Sequence, residues 1–433
     1  MSAKKRILNI LFWSVVSAAF IGPGTITTAA KAGAAFGTDL LWALLFSTLA
    51  CLLLQEAAAR LTMVSGKNLG QAIVYQFEKS KTKFPILLLV LGAIVIGAAA
   101  YEMGNLLGAV AGIRLIFDFP AWLLVLIIGG IAALILNIPS LKIISTIMGF
   151  VVVLMGIGFV ITALLTGPEI SSVIKGTFIP RFPSANTAGL LVLGLVGTTI
   201  VPYNLFLGSG ISKQNQSIKE MRFGLAIAIL LGGLFSMAVL IVGSAVASEF
   251  SFESLSLALQ QKMGPAGKYL LGFGLFAAGF TSSVTAPLAT AITLKSLFGD
   301  KNPEKWRTGS LNFKLGWLIV LLIGIGFAVG NIKPIPAIIL AQALNGFLLP
   351  FVSIFLFIVI NNKKISGQNN PLHLNLLMIV VIFVTLILGL NSACKAFFST
   401  FIPKFSHGNE VLWGISIVAL IISGWMWVKG RKN

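Results

Sequence analysis

Long apolar runs separated by short polar connections dominate this chain. Residues 84–95, 121–136, 225–246 and 376–390 are the plainest of them. Counted with their flanking Gly and Ala, several reach the roughly 18 residues that cross a bilayer. A backbone in hydrocarbon must satisfy its own polar groups, so such runs predict spanning helices rather than strands or loops. The pattern predicts about twelve spans. Their approximate limits are 8–36, 39–64, 84–112, 120–139, 143–167, 187–212, 222–248, 268–298, 313–331, 334–361, 373–393 and 411–429. The expected fold class is all-α and integral to a membrane.

Two of these spans interrupt themselves. The first reads FIGPGTITTAAKAG over 20–33, with Gly22-Pro23-Gly24 where an unbroken helix should run. The sixth reads LGLVGTTIVPYNLFLGSG over 193–210, with Val201-Pro202-Tyr203-Asn204 near its middle. Proline removes a backbone donor and clashes with the preceding turn, and Gly24 relaxes the chain further. The breaks lie five spans apart. An odd number of spans per unit inverts the second unit relative to the first. The chain therefore divides into repeat one (about 8–167), repeat two (about 187–361) and trailing helices (about 373–429), within one transmembrane unit, 1–433. Paired interrupted helices at matching positions point to the central site of a transporter. The plainer reading of each break is a proline kink.

Composition fits this picture. Hydrophobic residues make up 57% of the chain and charged residues only 10%, against about 25% in soluble domains. The net charge of +19 would suggest nucleic acid in a soluble protein, but here it is scattered over short loops, which excludes that class. Twenty-two of the 31 lysines and arginines, Lys142 among them, fall on one side if the N-terminus is cytoplasmic. That bias puts both termini in the cytoplasm, in a plasma (inner) membrane. No cleavage site follows Lys4-Lys5-Arg6, so no signal peptide is expected. Cys51 and Cys394 make neither a disulfide framework nor a metal cluster. Without a Walker, HExxH or nucleophile-elbow motif, neither hydrolysis nor ATP-driven pumping has support, and no cofactor is implied.

The residues around the breaks resemble the natural resistance-associated macrophage protein (NRAMP) family of divalent-metal transporters. GPGTITTAAKAGAAFG (22–37) is similar to that family's D-P-G-N…A-G…F-G stretch, and LLW (40–42) with LLLQEAAARL (52–61) to its second span. VPYNLFLGS (201–209) resembles M-P-H-N-L-Y-L-H-S, AAGFTSSVTAPLA (277–289) its eighth span and AQALNGFLLPF (341–351) its tenth. The resemblance covers spans one to ten. It implies a leucine-transporter-type five-plus-five inverted repeat with helices 1 and 6 broken. The departures fall on the implied site. The metal-binding Asp aligns with Gly22, the Asn with Thr25, the soft Met with Val201 and the His of span six with Tyr203. The D-x-x-E pair implicated in proton movement aligns with Glu102 and Asn105, and the Gln of span eight with Phe280. Only the Gln of span ten persists, as Gln342.

A divalent ion leaving water needs anionic oxygens, or sulfur if it is a transition metal. The break regions offer Thr25, Thr198, Thr199, Tyr203, Asn204 and backbone carbonyls instead, with Gln342 opposite. Neutral ligands leave a double charge uncompensated. This disfavours bare manganese or iron, and magnesium, which keeps its waters, less so. No metal ligand set is assigned on these grounds.

Of the two acidic residues well inside spans, Glu56 sits four before Arg60, a structural helical pair. Glu102, with Asn105 one turn on, is read as a proton or charge-coupling site, or else as a protonated structural acid. Lys31 either snorkels to the surface or faces inward to pair with an acid or draw an anion. Asn345 with Gln342, and Ser282, Ser283 and Thr285, either line the path or hold helices together. His373 and His407 receive no role. The sequence thus predicts secondary-active transport of a small solute by alternating access. It leans toward an anionic or zwitterionic solute, with a divalent cation, with or without proton coupling, as the alternative. A channel-like uniporter and a transport-dead sensor stand lower. The partners expected are the solute and the lipid bilayer.

Overall fold

The computed structural model describes residues 3–138, 150, 154, 156–183, 187–212, 214, 217–247, 249–330, 332–367, 370–401 and 409–432. The elements these residues form are all helical. Eight helices are long and apolar enough to cross a membrane, and four shorter apolar helices accompany them. These twelve segments fall on the twelve expected spans. The start of the fifth span, with Lys142, lies outside the described residues, as does His407.

In chain order, α1 (Ala3–Phe20) and α2 (Pro23–Phe36) share the first span, followed by α3 (Leu41–Ser65), the short α4 (Leu69–Gln76), α5 (Lys83–Arg114) and α6 (Ala121–Leu136). Next come α7 (Gly156–Leu165) and the connecting helix α8 (Ile170–Phe178). The sixth span is shared by α9 (Ala188–Thr199) and α10 (Pro202–Ile211). The rest are α11 (Ile218–Gly243), α12 (Phe252–Met263), α13 (Ala266–Phe298), α14 (Leu311–Val329), α15 (Pro334–Ile360), the short α16 (Lys363–Ser366), α17 (Leu372–Phe401) and α18 (Asn409–Lys432).

Both predicted breaks are present and have the same form. Ile21 and Gly22 separate α1 from α2, and Ile200 and Val201 separate α9 from α10. Gly22 (φ −115°, ψ −175°) and Val201 (φ −87°, ψ 125°) are extended. Each second half-helix begins on a proline, whose fixed φ suits the first helical position and whose missing N–H is not needed there. They are helix stops and restarts, which a mere kink would not give.

Helix packing sorts the spans into two groups. α11 packs along α1, α2 and α3, while α9 and α10 lean on α3; these form a bundle. α5, α6, α13 and α14 form a second group around the long α5–α13 pair, and α15 bridges both through α9, α2 and α5. Each member of one half has its counterpart in the other: broken span with broken span, α3 with α11, α5 with α13, α6 with α14. α17 and α18 trail the repeat, α17 against α15.

Without a hydrophobic drive between helices in lipid, close backbone approach supplies the contact, and glycines mark where it happens. A Cβ on Gly33 of α2 would lie 2.0 Å from the Leu240 carbonyl of α11, and one on Gly243 of α11 would lie 2.2 Å from the Ala30 carbonyl. Between α5 and α13, a Cβ on Gly112 would come within 2.5 Å of the Gly272 carbonyl.

Candidate functional site

The two breaks meet in the interior, and side chains of each engage the backbone of the other. Carbonyls in the last turns of α1 accept side-chain donors from across the break. The Asn204 amide of α10 donates to the Val16 carbonyl at 2.9 Å, and the Tyr203 hydroxyl makes a longer bond, 3.4 Å, to the Ala19 carbonyl. Thr25 donates to the Phe20 carbonyl across its own break. Its hydroxyl also lies 2.7 Å from that of Thr198 on α9, so the two interrupted spans touch through a pair of threonines. Tyr101 of α5 reaches the same point, its hydroxyl 3.3 Å from the Thr198 carbonyl. Tyr101 and Tyr203 stack edge to face at 5.6 Å. All five of these side chains are buried.

Spans three, eight and ten close the site. Gly22 faces Ser282 of α13 and Asn105 of α5: a Cβ there would lie 2.8 Å from the Ser282 hydroxyl and 3.4 Å from the Asn105 amide oxygen. Asn105 makes a long bond, 3.4 Å, to the Glu102 carboxylate one turn back, and Glu102 is fully buried. Gln342 of α15 lies over Gly24, where a Cβ would collide with its amide. Asn345, one turn on, sits over Gly97 of α5. Gly324 of α14 lies directly on Glu102, its would-be Cβ 2.5 Å from Glu102 Cγ.

Gly22, Thr25, Thr198, Tyr203, Asn204, Gln342, Glu102 and Asn105 are thus gathered around the breaks, with Val201 buried as the residue just before α10. Lys31 is not part of this group: it lies two turns up α2, is partly exposed, and makes no ion pair among the described residues. Glu56 pairs with Arg60 at 2.9 Å as its spacing predicts, and also with Arg222 of α11 at 2.7 Å. Glu56 is therefore already paired, and neither it nor Glu102 forms an ion pair with Lys31 among the described residues. Phe280 stacks on Phe276 at 5.7 Å and adds an apolar ring. Thr199 bonds back to the Leu195 carbonyl of its own helix and reaches nothing across the break.

Tyr101 escaped the sequence reading. The available signal was an aromatic hydroxyl beside Glu102, following a run of Gly, Ala and aliphatic residues from 86 to 100.

The electrostatics offer something to either sign of charge. The N-termini of α2 and α10 have no side-chain cap and bring partial positive charge, while the ends of α1 and α9 bring carbonyls. Several buried acceptor oxygens also lack any donor: Glu102 Oε1, Asn204 Oδ1, Gln342 Oε1 and Asn345 Oδ1. No cluster of three His, Cys, Asp or Glu occurs among the described residues.

A site held between two half-broken spans, inside an inverted repeat, defines a membrane transport protein and not an enzyme. The chain belongs to the natural resistance-associated macrophage protein-like (Nramp) family, whose model matches residues 14–395. It is 28% identical over 371 residues to the divalent metal cation transporter MntH of Bacillus subtilis, covering 82% of this chain and 84% of that protein. With the rice metal transporter Nramp3 it shares 27% over 383 residues, covering 82% and 68%. Among solved structures, the fold matches the Eremococcus coleocola manganese transporter with a TM-score of 0.74 at 22% identity, over 99% of this chain and 96% of that one. It also matches Mhp1, a nucleobase-cation-symport-1 family transporter, with a TM-score of 0.56 at 15% identity, over 96% and 92%.

Proposed function

We propose that this protein is a secondary-active transporter that carries a divalent metal cation by alternating access, the ion retaining part of its water shell. One observation carries the choice of charge. Around the breaks and the α5 wall beside them, the buried polar atoms left over that can only accept are one carboxylate oxygen (Glu102) and three amide oxygens (Asn204, Gln342 and Asn345), against two unpaired hydroxyls, Thr27 and Thr28, that can also donate. An acceptor without a donor in low dielectric is costly unless something positive visits it. The relatives are named as transporters of divalent metal cations, which supports the cation over the anionic or zwitterionic solute that the sequence favoured.

The donor set argues for a hard, hydrated ion. Thr25, Thr198, Asn204 and Gln342 supply neutral oxygens, position 201 is Val and brings no thioether, and among the described residues Glu102 supplies the carboxylate nearest the breaks. Magnesium keeps several waters and fits such a set better than a stripped transition metal does. The hydroxyl and amide donors that hold the Val16, Ala19 and Phe20 carbonyls would give way to the ion or its waters. Glu102, joined through Asn105 to the wall facing Gly22, balances part of the charge and takes up or releases a proton as the ion passes. The bias of basic loops supports cytoplasmic termini in a plasma membrane.

Proteoliposomes test this. Saturable magnesium or manganese uptake with counterflow is expected, and Glu102→Gln, which keeps the shape and removes the charge, should lower it about 10- to 100-fold. Conductance without saturation would indicate a uniporter, and no flux at all a sensor. Saturable uptake of small anions with no divalent flux would overturn the cation and return the first reading, to which the uncapped N-termini of α2 and α10 lend themselves.

A further inference from the structure

A groove of about 650 Å³ runs along the outside of the bundle between α3, α11 and α17, well away from the breaks. Its walls are aliphatic, with Leu49 and Leu53 from α3, Leu225 from α11, and Leu377 and Val381 from α17. It opens toward the surroundings: Leu49 is 51% exposed and Leu377 52%. In a bilayer those surroundings are hydrocarbon, so the walls need no explanation. The floor does. Glu56, Arg222 and His373 line one end of the same groove.

Charges on a lipid-facing wall are expensive and seldom idle. Here they are arranged unequally. Glu56 is shared by two arginines: Arg60 Nε lies 2.9 Å from Oε1 and 3.2 Å from Oε2, and Arg222 donates through Nε and Nη2 at 2.9 and 2.7 Å. The buried Arg60 is turned inward to the Asn370 amide oxygen at 2.8 Å. Arg222 is half exposed, and its Nη1 is not engaged by Glu56. The carboxylate is neutralised, and one unit of positive charge is left over at the mouth. Arg222 stands in the opening turns of α11 and His373 is the second residue of α17. Both lie at the basic end of the bundle, where Lys219 is offset by its neighbour Glu220 in the first turn of α11 and the Arg6 guanidinium stacked over Phe223 leaves the balance positive. From Phe46 to Glu56 along α3 the groove extends about 15 Å at helical rise.

We propose that this groove is a binding site for an anionic phospholipid, with one acyl chain between α3, α11 and α17 and the phosphate on Arg222 and His373. Charge complementarity selects the occupant. A zwitterionic lipid would fill the aliphatic part equally well but bring no net charge to the surplus cation. The site is independent of the transported substrate, so it stands or falls apart from the reading above.

Native mass spectrometry of the full chain, extracted from membranes containing equal phosphatidylglycerol and phosphatidylcholine, tests it. The wild type should retain phosphatidylglycerol over phosphatidylcholine by about fivefold, the effect of one arginine near a membrane surface. Arg222→Gln should bring the two lipids to near parity, since Gln still bonds Glu56 and keeps the helices together. Leu377→Trp should lower retention of both by filling the groove. Equal retention of the two lipids by the wild type overturns the proposal, as does retention unchanged in both variants. A second copy of the chain found in place of lipid, released by Leu377→Trp, overturns it too.

Discussion

Two glycines at the first break decide what the site can hold. By the sequence resemblance Gly22 takes the place of an Asp, and the space beside it is already taken by the Ser282 hydroxyl. Restoring the acid therefore needs room as well as charge. Gly22→Asp combined with Ser282→Ala should raise manganese affinity about tenfold over wild type by calorimetry, a modest return for one added anionic oxygen. Gly24 has a different duty. A Cβ there would overlap the Gln342 amide at 2.0 Å, so Gly24→Ala must push that side chain off the break. Transport should fall about tenfold while the melting temperature stays within a few degrees, because the displaced group is the end of a flexible side chain. The residue types at 22, 25, 201 and 203 were plain in the sequence, and so was the loss of charge they imply. Their partners were not. Nothing in the spacing tells that Thr25 meets Thr198 across 173 residues, or that Tyr101 closes over both. Such contacts depend on how each helix is rotated about its axis, and an apolar span buried on most sides carries little periodicity to reveal that.

At the level of elements the sequence was more generous. Proline in the middle of an apolar run weakens a helix without always ending it, since Pro287 and Pro350 sit inside unbroken α13 and α15, yet both breaks came out at the predicted residues. Arg222 as second partner of Glu56 could not be foreseen, since only the i, i+4 pair is local. The glycine contacts between spans were equally hidden: a glycine in a membrane helix reads the same whether it faces lipid or a neighbour's backbone. The structure separates the two kinds. Gly33→Ala would drive a methyl into the α11 backbone and should destabilise by about 1–3 kcal/mol. Gly130→Ala on α6, where a Cβ meets nothing within 4 Å, should be neutral or stabilise by up to about 1 kcal/mol. Thermal melts of the two purified variants in one detergent make the comparison.

Across the whole molecule, length and hydropathy sufficed for the number of spans, and the paired breaks for the inverted repeat. The substrate was the part the sequence left open. Lost carboxylate and thioether ligands argued against a metal, and the unsatisfied amide oxygens that argue for one appear only once the helices are assembled. One long-range tie also emerges at this scale. Arg60 bonds Asn370, Asn370 donates to Asn375 at 2.6 Å, and Asn375 and Asn361 exchange bonds at 2.8 and 2.9 Å. The bundle is thereby joined to the start of the trailing helices. Arg60→Ala strands a buried amide oxygen at Asn370 and should cost about 1–3 kcal/mol of stability, read as a lower melting temperature.

Gly324 has a consequence for movement. With no side chain of its own, α14 rests its bare backbone against the methylenes of Glu102, so the ninth span acts as a stop for the acid's travel. Because α5 and α14 belong to the same group of helices, rocking of that group against the bundle carries the contact along, and a second rotamer of the carboxylate toward α14 requires the two helices to part within the group.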